Sequence, residues 1–230
     1  MTYVVSMASS KGGVGKSTTV MVVGGELRRR GLRILGLDAD PERRLHLWAR
    51  DRADPDFVVI PGIDESNINA TISEMAADYD FVFCDLAGFG SLTMLYAIGR
   101  SDLVLIPTLT SAMDRDATIK THRLARDAAE QLRHAAPAVA FLNRTSAALR
   151  PRTLSHVRQE LEEAGVPLLP VELIDRQLIV EASYVGRGPS EVDPGSKGAA
   201  NVIALTDAIL EELARIPPNP SIPRKKERAS

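Results

Sequence analysis

The sequence has little of several features that mark whole classes of protein. It contains one cysteine, Cys84, so a disulfide within the chain and a cysteine-based zinc site are both excluded. No apolar run approaches the roughly 18 residues that a membrane span needs, and the N-terminus lacks the charged and apolar regions of a signal peptide. With 28 basic and 30 acidic residues, the net charge of −2 gives no overall attraction to nucleic acid. These absences predict a cytoplasmic protein whose cysteine is reduced and buried.

What the sequence does contain is an alternation of strand-like and helix-like segments. Several strand-like segments are apolar almost throughout, which indicates burial on both faces and therefore a mostly parallel sheet covered by helices. We predict an α/β fold with a doubly wound sheet, in one domain of residues 1–216. The predicted strands are residues 2–8, 33–38, 56–60, 81–85, 103–108, 138–143 and 168–173. The predicted helices are residues 17–30, 42–52, 64–77, 91–99, 114–134, 151–164 and 197–215.

The last segment of the chain has a different composition. Residues 217–230, PPNPSIPRKKERAS, are rich in proline and charge and have almost nothing to bury, so we predict a disordered extension. This extension either aids solubility or uses its cations, such as Lys225 and Lys226, to contact anions. Its prolines and its lack of an apolar face argue against membrane binding.

A glycine-rich segment, ASSKGGVGKSTT at residues 8–19, lies between the first predicted strand and the first predicted helix. Its glycines allow successive N–H groups to point inward, and the start of the helix adds further unpaired N–H groups. Lys16 can reach the β- and γ-phosphates, and the Ser17 hydroxyl is placed to bind Mg²⁺. The usual Gly-x-x-x-x-Gly-Lys-Ser/Thr pattern is broken at its first position, where this chain has Ser10. We predict a phosphate-binding loop; the alternative is an ordinary glycine-rich turn.

Three acidic residues follow predicted strands. Asp38 and Asp40 come after the second strand, and Asp85 ends the fourth. In a doubly wound sheet, ligands bind at the carboxyl ends of the strands. A carboxylate is costly to bury alone, so we expect Asp85 to lie near a Mg²⁺ ion and to hold it through water, opposite the loop. The alternative is that each aspartate only caps the next helix, which suits Asp40 because it precedes Pro41.

These motifs resemble those of the ParA/MinD-type P-loop ATPases. KGGVGKST resembles that family's deviant Walker motif, DADP its second signature, and YDFVFCDLAG its Walker B strand. SDLVLIPTLTSAMD at residues 101–114 and RQLIVEA at residues 176–182 resemble its later segments. The small plasmid-partition ATPases of the ParF type match best. The resemblance covers nearly the whole predicted domain and implies a P-loop NTPase fold of the ParA/MinD (SIMIBI) type.

The resemblance also implies a role for individual residues. Lys11 would reach the nucleotide of a second subunit in an ATP-sandwich homodimer; the alternative is an exposed, solvated cation. Lys16 would contact phosphates, and Asp40 would position the attacking water. Asn143 would read the adenine edge, unless it only forms a turn after its strand. The implied nucleotide-binding residues are Gly12, Gly13, Val14, Gly15, Lys16, Ser17, Thr18 and Asn143, and the implied metal-site residues are Ser17, Asp38 and Asp85.

Charge is unevenly distributed along the chain. Residues 115–158 carry nine lysines or arginines and three acidic residues, a surplus that would suit non-specific contact with DNA phosphates. The alternative is a set of ordinary solvated helix faces. The predicted DNA-binding residues are Arg150, Arg152, Arg176, Arg187 and Lys197.

The resemblance implies a weak, Mg²⁺-dependent ATPase for DNA partition. Its ATP-bound dimer would bind nucleoid DNA, and a small centromere-binding, ParB-like partner protein would stimulate hydrolysis and release. Two alternatives remain: a positioning ATPase for another cargo, such as a VirC1-type conjugation complex or a protein cluster, and a P-loop metabolic synthetase. The sequence departs from the family at Glu42, where glutamine is common, and at Leu86-Ala87-Gly88. Because the loop begins at residue 9, we expect no preceding helix-turn-helix domain and no site-specific operator binding.

Overall fold

A seven-stranded parallel sheet forms the centre of the structure, a computed structural model that describes residues 2–88, 91–132, 136–146 and 151–224. The strand order is β3-β2-β4-β1-β5-β6-β7, which places β1 in the middle of the sheet. The predicted doubly wound parallel fold is therefore confirmed. The strands are β1 Tyr3–Met7, β2 Ile34–Asp38, β3 Phe57–Pro61, β4 Phe81–Asp85, β5 Leu103–Thr108, β6 Ala138–Thr145 and β7 Leu173–Ile174.

The helices follow the prediction with two additions. Two short helices, α7 and α8, lie in a region where no helix was predicted, because segments of seven and four residues are too short to show a helical periodicity. The last strand is also shorter than predicted. The helices are α1 Lys16–Arg29, α2 Arg44–Arg52, α3 Ile68–Met75, α4 Leu92–Gly99, α5 Ala112–Leu132, α6 Pro151–Glu163, α7 Gln177–Ser183, α8 Pro189–Val192 and α9 Lys197–Ala214.

Two apolar layers cover the two faces of the sheet. Because successive side chains of a strand point to opposite faces, Val4 belongs to a layer shared with α3, α4, α5 and α6, whereas Val5 belongs to a layer shared with α1, α2 and α9. Strands β2, β4 and β5 are buried on both faces, which explains why their sequences are apolar rather than alternating. Cys84 lies in the first layer, and burial raises the pKa of its thiol to about 12. None of the described helices is both long and apolar enough to cross a membrane.

The C-terminal segment is ordered further than the sequence predicts. Asn219 is fully buried, and its backbone N–H donates to Asp102 over 2.7 Å. The Arg224 guanidinium donates to the same carboxylate over 2.8 Å, and Ile222 is buried. The prediction of a disordered extension is therefore wrong for residues 217–224, because the buried Asp102 supplies a partner that the local composition does not reveal. Residues 225–230 lie outside the described residues.

Candidate nucleotide site

A cleft of about 620 Å³ opens at the carboxyl edge of the sheet. Most of the predicted nucleotide-site residues line it, whereas Lys11 and Val14 do not, and Asp38 and Asp85 are buried beneath it. A cleft of this volume is within the ordinary range for small-molecule sites. The predicted residues that line it are Gly12, Gly13, Gly15, Lys16, Ser17, Thr18, Asp40 and Asn143.

The loop before α1 has the backbone geometry that its glycines allow. Gly13 and Gly15 have φ values of 75° and 94°, in the left-handed region where a side chain would be strained. Gly12 and Gly13 are exposed to the cleft, and no atom lies within 4 Å of the place where a Cβ would be. Helix α1 begins without a side-chain cap and without an acidic residue in its first turn. Its first N–H groups and the positive end of its dipole therefore favour an anion at this point.

Asn143 supports the loop from beneath. Its Nδ2 donates to the Val14 carbonyl over 2.6 Å, and its Oδ1 accepts from the N–H of Arg144, which has a positive φ of 52°. A Cβ at Gly15 would lie 2.2 Å from Nδ2 of Asn143, so glycine is required there for close packing as well as for its φ value. Asn143 lies within β6 and not in a turn after the strand, so the turn-forming alternative is wrong, and its hydrogen bonds support the loop instead. Its predicted contact with adenine stays a prediction.

Lys16 and Asp85 are both buried at the cleft, and each affects the pKa of the other electrostatically. The Lys16 side chain is largely buried, and this burial lowers its pKa, although the carboxylates of Asp85 and Asp40 act in the opposite direction. Asp85 faces Asp38 in the register of β4 and β2 and Met7 in the register of β4 and β1. Burial raises the pKa of Asp85 to about 7. The sheet thus places an acidic side chain directly below the loop.

The surroundings of Asp85 fit a hydrated Mg²⁺ ion. Neither carboxylate oxygen of Asp85 has a hydrogen bond of ordinary length and angle in the described part of the chain. The nearby Ser17 hydroxyl lowers the pKa of Asp85 only in part against the effect of burial, and a buried carboxylate with so few partners is costly. Mg²⁺ usually keeps several waters and is bound through one or two carboxylates together with phosphates. Among the described residues, no group of three or more His, Cys, Asp or Glu side chains could hold a metal ion.

Asp38 and Asp40 organise the turn that leads into α2. The two oxygens of Asp38 accept the backbone N–H groups of Asp40, at 3.1 Å, and of His46, at 2.9 Å. Oδ1 of Asp40 accepts the N–H of Glu42 over 2.9 Å. The N-cap of α2 is Arg43, whose side chain makes no capping bond, and Asp40 accepts an N–H that precedes the helix. The helix-capping alternative is therefore wrong for Asp40, whereas Asp38 does satisfy an N–H in the first turn of α2. Asp38 is thus committed to the backbone, while Asp40 is partly exposed on the cleft.

Lys11 does not line the cleft and instead contacts α5. Its Nζ contacts Oδ1 of Asp114 in α5 over 2.5 Å, and the Asp114 side chain is only 4% exposed. The alternative of a freely solvated cation is therefore wrong in this state of the chain. Ser10 also attaches the loop to α5, because its N–H donates to Oγ1 of Thr121 over 2.8 Å and its hydroxyl donates to the carbonyl of Ala117 over 2.9 Å. The residue that breaks the glycine pattern thus has a structural role.

The predicted DNA-binding residues do not lie on one surface. Arg152 and Lys197 are exposed, but Arg176 is half-buried, with its Nε shielded from solvent. Arg187 lines the nucleotide cleft. Arg150 lies outside the described residues.

The surplus of basic residues along the chain is partly neutralised. Arg115 pairs with Asp116 and with Glu160, and Arg144 lies 3.8 Å from Asp175. The surplus is therefore smaller on the folded surface than in the sequence.

One wall of the cleft was not predicted. It is formed by α2 and α7, which contribute Trp48, Ile179 and Val180. The apolar pair Ile179-Val180 within RQLIVEA was its only sequence signal. The wall is held by Arg52, whose side chain is fully buried and donates to Glu191 over 2.7 and 2.9 Å. This ion pair joins the end of α2 to α8.

Comparison with known proteins shows the family. Protein ParA of Rhizobium radiobacter is 37% identical over 175 residues, which cover 75% of this chain and 78% of that protein. The maintenance of carboxysome distribution protein A of Synechococcus elongatus is 26% identical, with 75% of this chain and 86% of that protein covered. The septum site-determining protein MinD of Pyrococcus horikoshii, solved in complex with Mg-ADP, superposes with a TM-score of 0.72 at 21% sequence identity. The superposition covers 93% of this chain and 98% of the MinD chain.

The fold and the cleft define the class of protein as ParA/MinD-type P-loop ATPases, an ATP-hydrolysing family that acts in partition or positioning. The particular family follows from a more specific match. A family model described as VirC1 protein matches residues 1–187, and the chain therefore belongs to the VirC1 family within this class.

Proposed function

We propose that the chain is an ATP-dependent DNA-partition ATPase that alternates between a monomer and an ATP-bound homodimer. The observation that carries the proposal is that the two lysines of the loop lie in different places. Lys16 lies in the cleft, beside the carboxylates of Asp85 and Asp40, whereas Lys11 lies outside the cleft lining and is free of its own nucleotide site. A cation that does not serve its own cleft is available to a second copy, where it would offset negative charge that develops during phosphoryl transfer.

In this proposal each side chain of the cleft has one task. The loop N–H groups and Lys16 bind the phosphates, and Thr18 contacts the α-phosphate. The Ser17 hydroxyl and Asp85 would hold a Mg²⁺ ion, which when bound would neutralise phosphate charge. Asp40 orients the attacking water, and Asp38 fixes Asp40 through its backbone N–H.

The homodimer is tested by sedimentation with Mg²⁺ and a non-hydrolysable ATP analogue. Lys11→Ala should bind the analogue but stay monomeric, whereas Lys16→Ala should lose the analogue itself. Lys197→Ala is a matched control for loss of a lysine away from the loop, and it should dimerise like the unchanged protein. A dimer of unchanged affinity in Lys11→Ala would refute the cross-subunit role.

DNA binding is the second part of the proposal. It rests on the relative named ParA and on the exposed cations Arg152 and Lys197; Arg187, which lines the cleft, is the weakest of the proposed DNA contacts. Because a dimer would present twice as many exposed cations, DNA affinity would depend on ATP. Retention on non-specific DNA should require ATP and fall steeply with salt, and each phosphate contact that is removed should lower the salt slope by about one. ATP-independent retention would contradict the switch.

A second candidate is the positioning of another cargo by the same switch. The VirC1 family match and the relative that maintains carboxysome distribution both favour it. The two candidates differ in their partner: partition requires a small basic, ParB-like protein that binds a centromere and stimulates hydrolysis on DNA. ATPase assays with DNA and the product of a neighbouring gene separate them. In both cases we propose a cytoplasmic protein that associates with the nucleoid through DNA.

A further inference from the structure

The first half of the phosphate-binding loop is attached to α5 at three points. Ser10 makes two hydrogen bonds, to Thr121 and to the backbone of Ala117, and Lys11 makes an ion pair with Asp114. These partners lie at successive turns of α5, so the helix runs alongside the loop as a support. Of these contacts, the proposed function requires the ion pair of Lys11 to break.

Asp114 is built to hold a cation. Its side chain is 4% exposed, and besides Lys11 it accepts hydrogen bonds from the hydroxyl and the backbone N–H of Ser111. Burial raises the pKa of Asp114, but the hydrogen bonds from Lys11 and Ser111 outweigh it and hold the pKa below its ordinary value. The carboxylate is therefore charged at neutral pH. Withdrawing Lys11 would leave a buried charge with only Ser111 to stabilise it, which is unfavourable.

We propose that Asp114 is a positioning residue that holds Lys11 against α5 in the nucleotide-free monomer and thereby opposes dimerisation until ATP is bound. The inference rests on the proposed cross-subunit role of Lys11. A phosphate group of a second copy must replace or share the Asp114 carboxylate as the partner of the ammonium group. ATP bound in the partner supplies several negative charges for this exchange, whereas an empty cleft supplies none. The ion pair would thus make dimerisation depend more steeply on ATP.

The test is Asp114→Asn, which keeps the size and the hydrogen-bonding acceptor but removes the charge. An ion pair of this partly exposed kind is worth about fivefold in an equilibrium, and two such pairs are broken per dimer, so the dimerisation constant with the ATP analogue should rise by about twenty-five-fold. Asp116→Asn is the matched control, since it makes the same charge change on the same helix at a side chain that pairs with Arg115 instead. It should leave dimerisation unchanged.

A second measurement does not depend on dimerisation. An amine-reactive reagent should modify Lys11 of the nucleotide-free protein faster in Asp114→Asn and not in Asp116→Asn. The rate of modification is read from the mass of the loop peptide. Thermal unfolding confirms that both variants fold. A merely structural role of Asp114 would weaken the dimer, so a weaker or unchanged dimer overturns the inference, as does an unchanged reactivity of Lys11. Failure of the unchanged protein to dimerise would instead refute the proposed function, and the reactivity result would still decide whether Asp114 holds Lys11.

Discussion

The ion pair between Arg52 and Glu191 offers the sharpest prediction about the wall of the cleft. The Arg52 side chain is fully buried, and Glu191, at 7% exposure, binds it through both carboxylate oxygens. Asp54 contacts the same guanidinium group at 3.0 Å, and the Gly186 carbonyl lies at 3.3 Å. The guanidinium also lies over the ring of Phe57, 4.8 Å from its centroid. Replacing Glu191 by alanine therefore leaves a buried cation with one carboxylate instead of two.

The magnitude follows from these contacts. Removing one partner of a buried ion pair costs about 3–5 kcal/mol. Because Asp54 and the carbonyl of Gly186 remain in place, we expect the lower end, about 3 kcal/mol. In a domain of this size a loss of about 1 kcal/mol lowers the Tm by about 2–4 °C, so Glu191→Ala should lower it by about 6–12 °C. The binding of Mg-ADP should weaken as well, because Trp48 of α2 belongs to the cleft wall that this pair fixes against α8.

Urea unfolding measures the loss of stability directly. The matched control is Glu212→Ala, which removes a carboxylate from the partly exposed pair with Arg215 and should cost less than about 1 kcal/mol. If Glu191→Ala unfolded within about 0.5 kcal/mol of this control, the buried pair would not stabilise the junction of α2 and α8, and the reasoning would fail.

Three further predictions concern the loop and α1. Asn143→Ala removes the hydrogen bond to the Val14 carbonyl, which should destabilise the loop conformation by about 1–3 kcal/mol. Calorimetry should then show Mg-ADP binding weakened by about tenfold. An unchanged affinity would show that the loop needs no such support. Gly25→Ala places a Cβ 2.5 Å from Oε2 of Glu191, so the free energy of unfolding should fall by about 1–3 kcal/mol, and a neutral result would contradict the close packing of α1 on α8. Burial raises the pKa of Glu26, but hydrogen bonds from the neighbouring arginines outweigh this effect and lower the pKa below 4.5. The ionised Glu26 therefore stabilises the fold above pH 4.5, and this stabilisation is lost as the pH falls through the lowered pKa. Acid titration of stability should therefore be flatter in Glu26→Gln.

The local features of the candidate site were predictable from the sequence. The loop from Gly12 to Ser17 is contiguous, and its glycines, lysine and hydroxyl follow from the demands of a phosphate on a turn between a strand and a helix. Asp38 and Asp85 were predicted to share an edge because parallel strands present their carboxyl ends on one side of a sheet. Fully apolar strands indicated burial on both faces. Each of these conclusions depends on neighbouring residues or on a period of a few residues.

Other features depend on partners that are far apart in the chain. Lys11 meets Asp114 across 103 positions, Arg52 meets Glu191 across 139, and Asn219 meets Asp102 across 117. No periodicity encodes such pairs, because burial of a charge and the choice of its partner depend on which elements pack together. The sequence by itself therefore determined the phosphate-binding loop, the parallel sheet and the acidic edge, since these follow from local backbone chemistry. Only the tertiary structure decided that Lys11 rests on α5, that α2 and α8 are joined by a buried ion pair and that the chain packs as far as Arg224, since these depend on contacts made when the layers close.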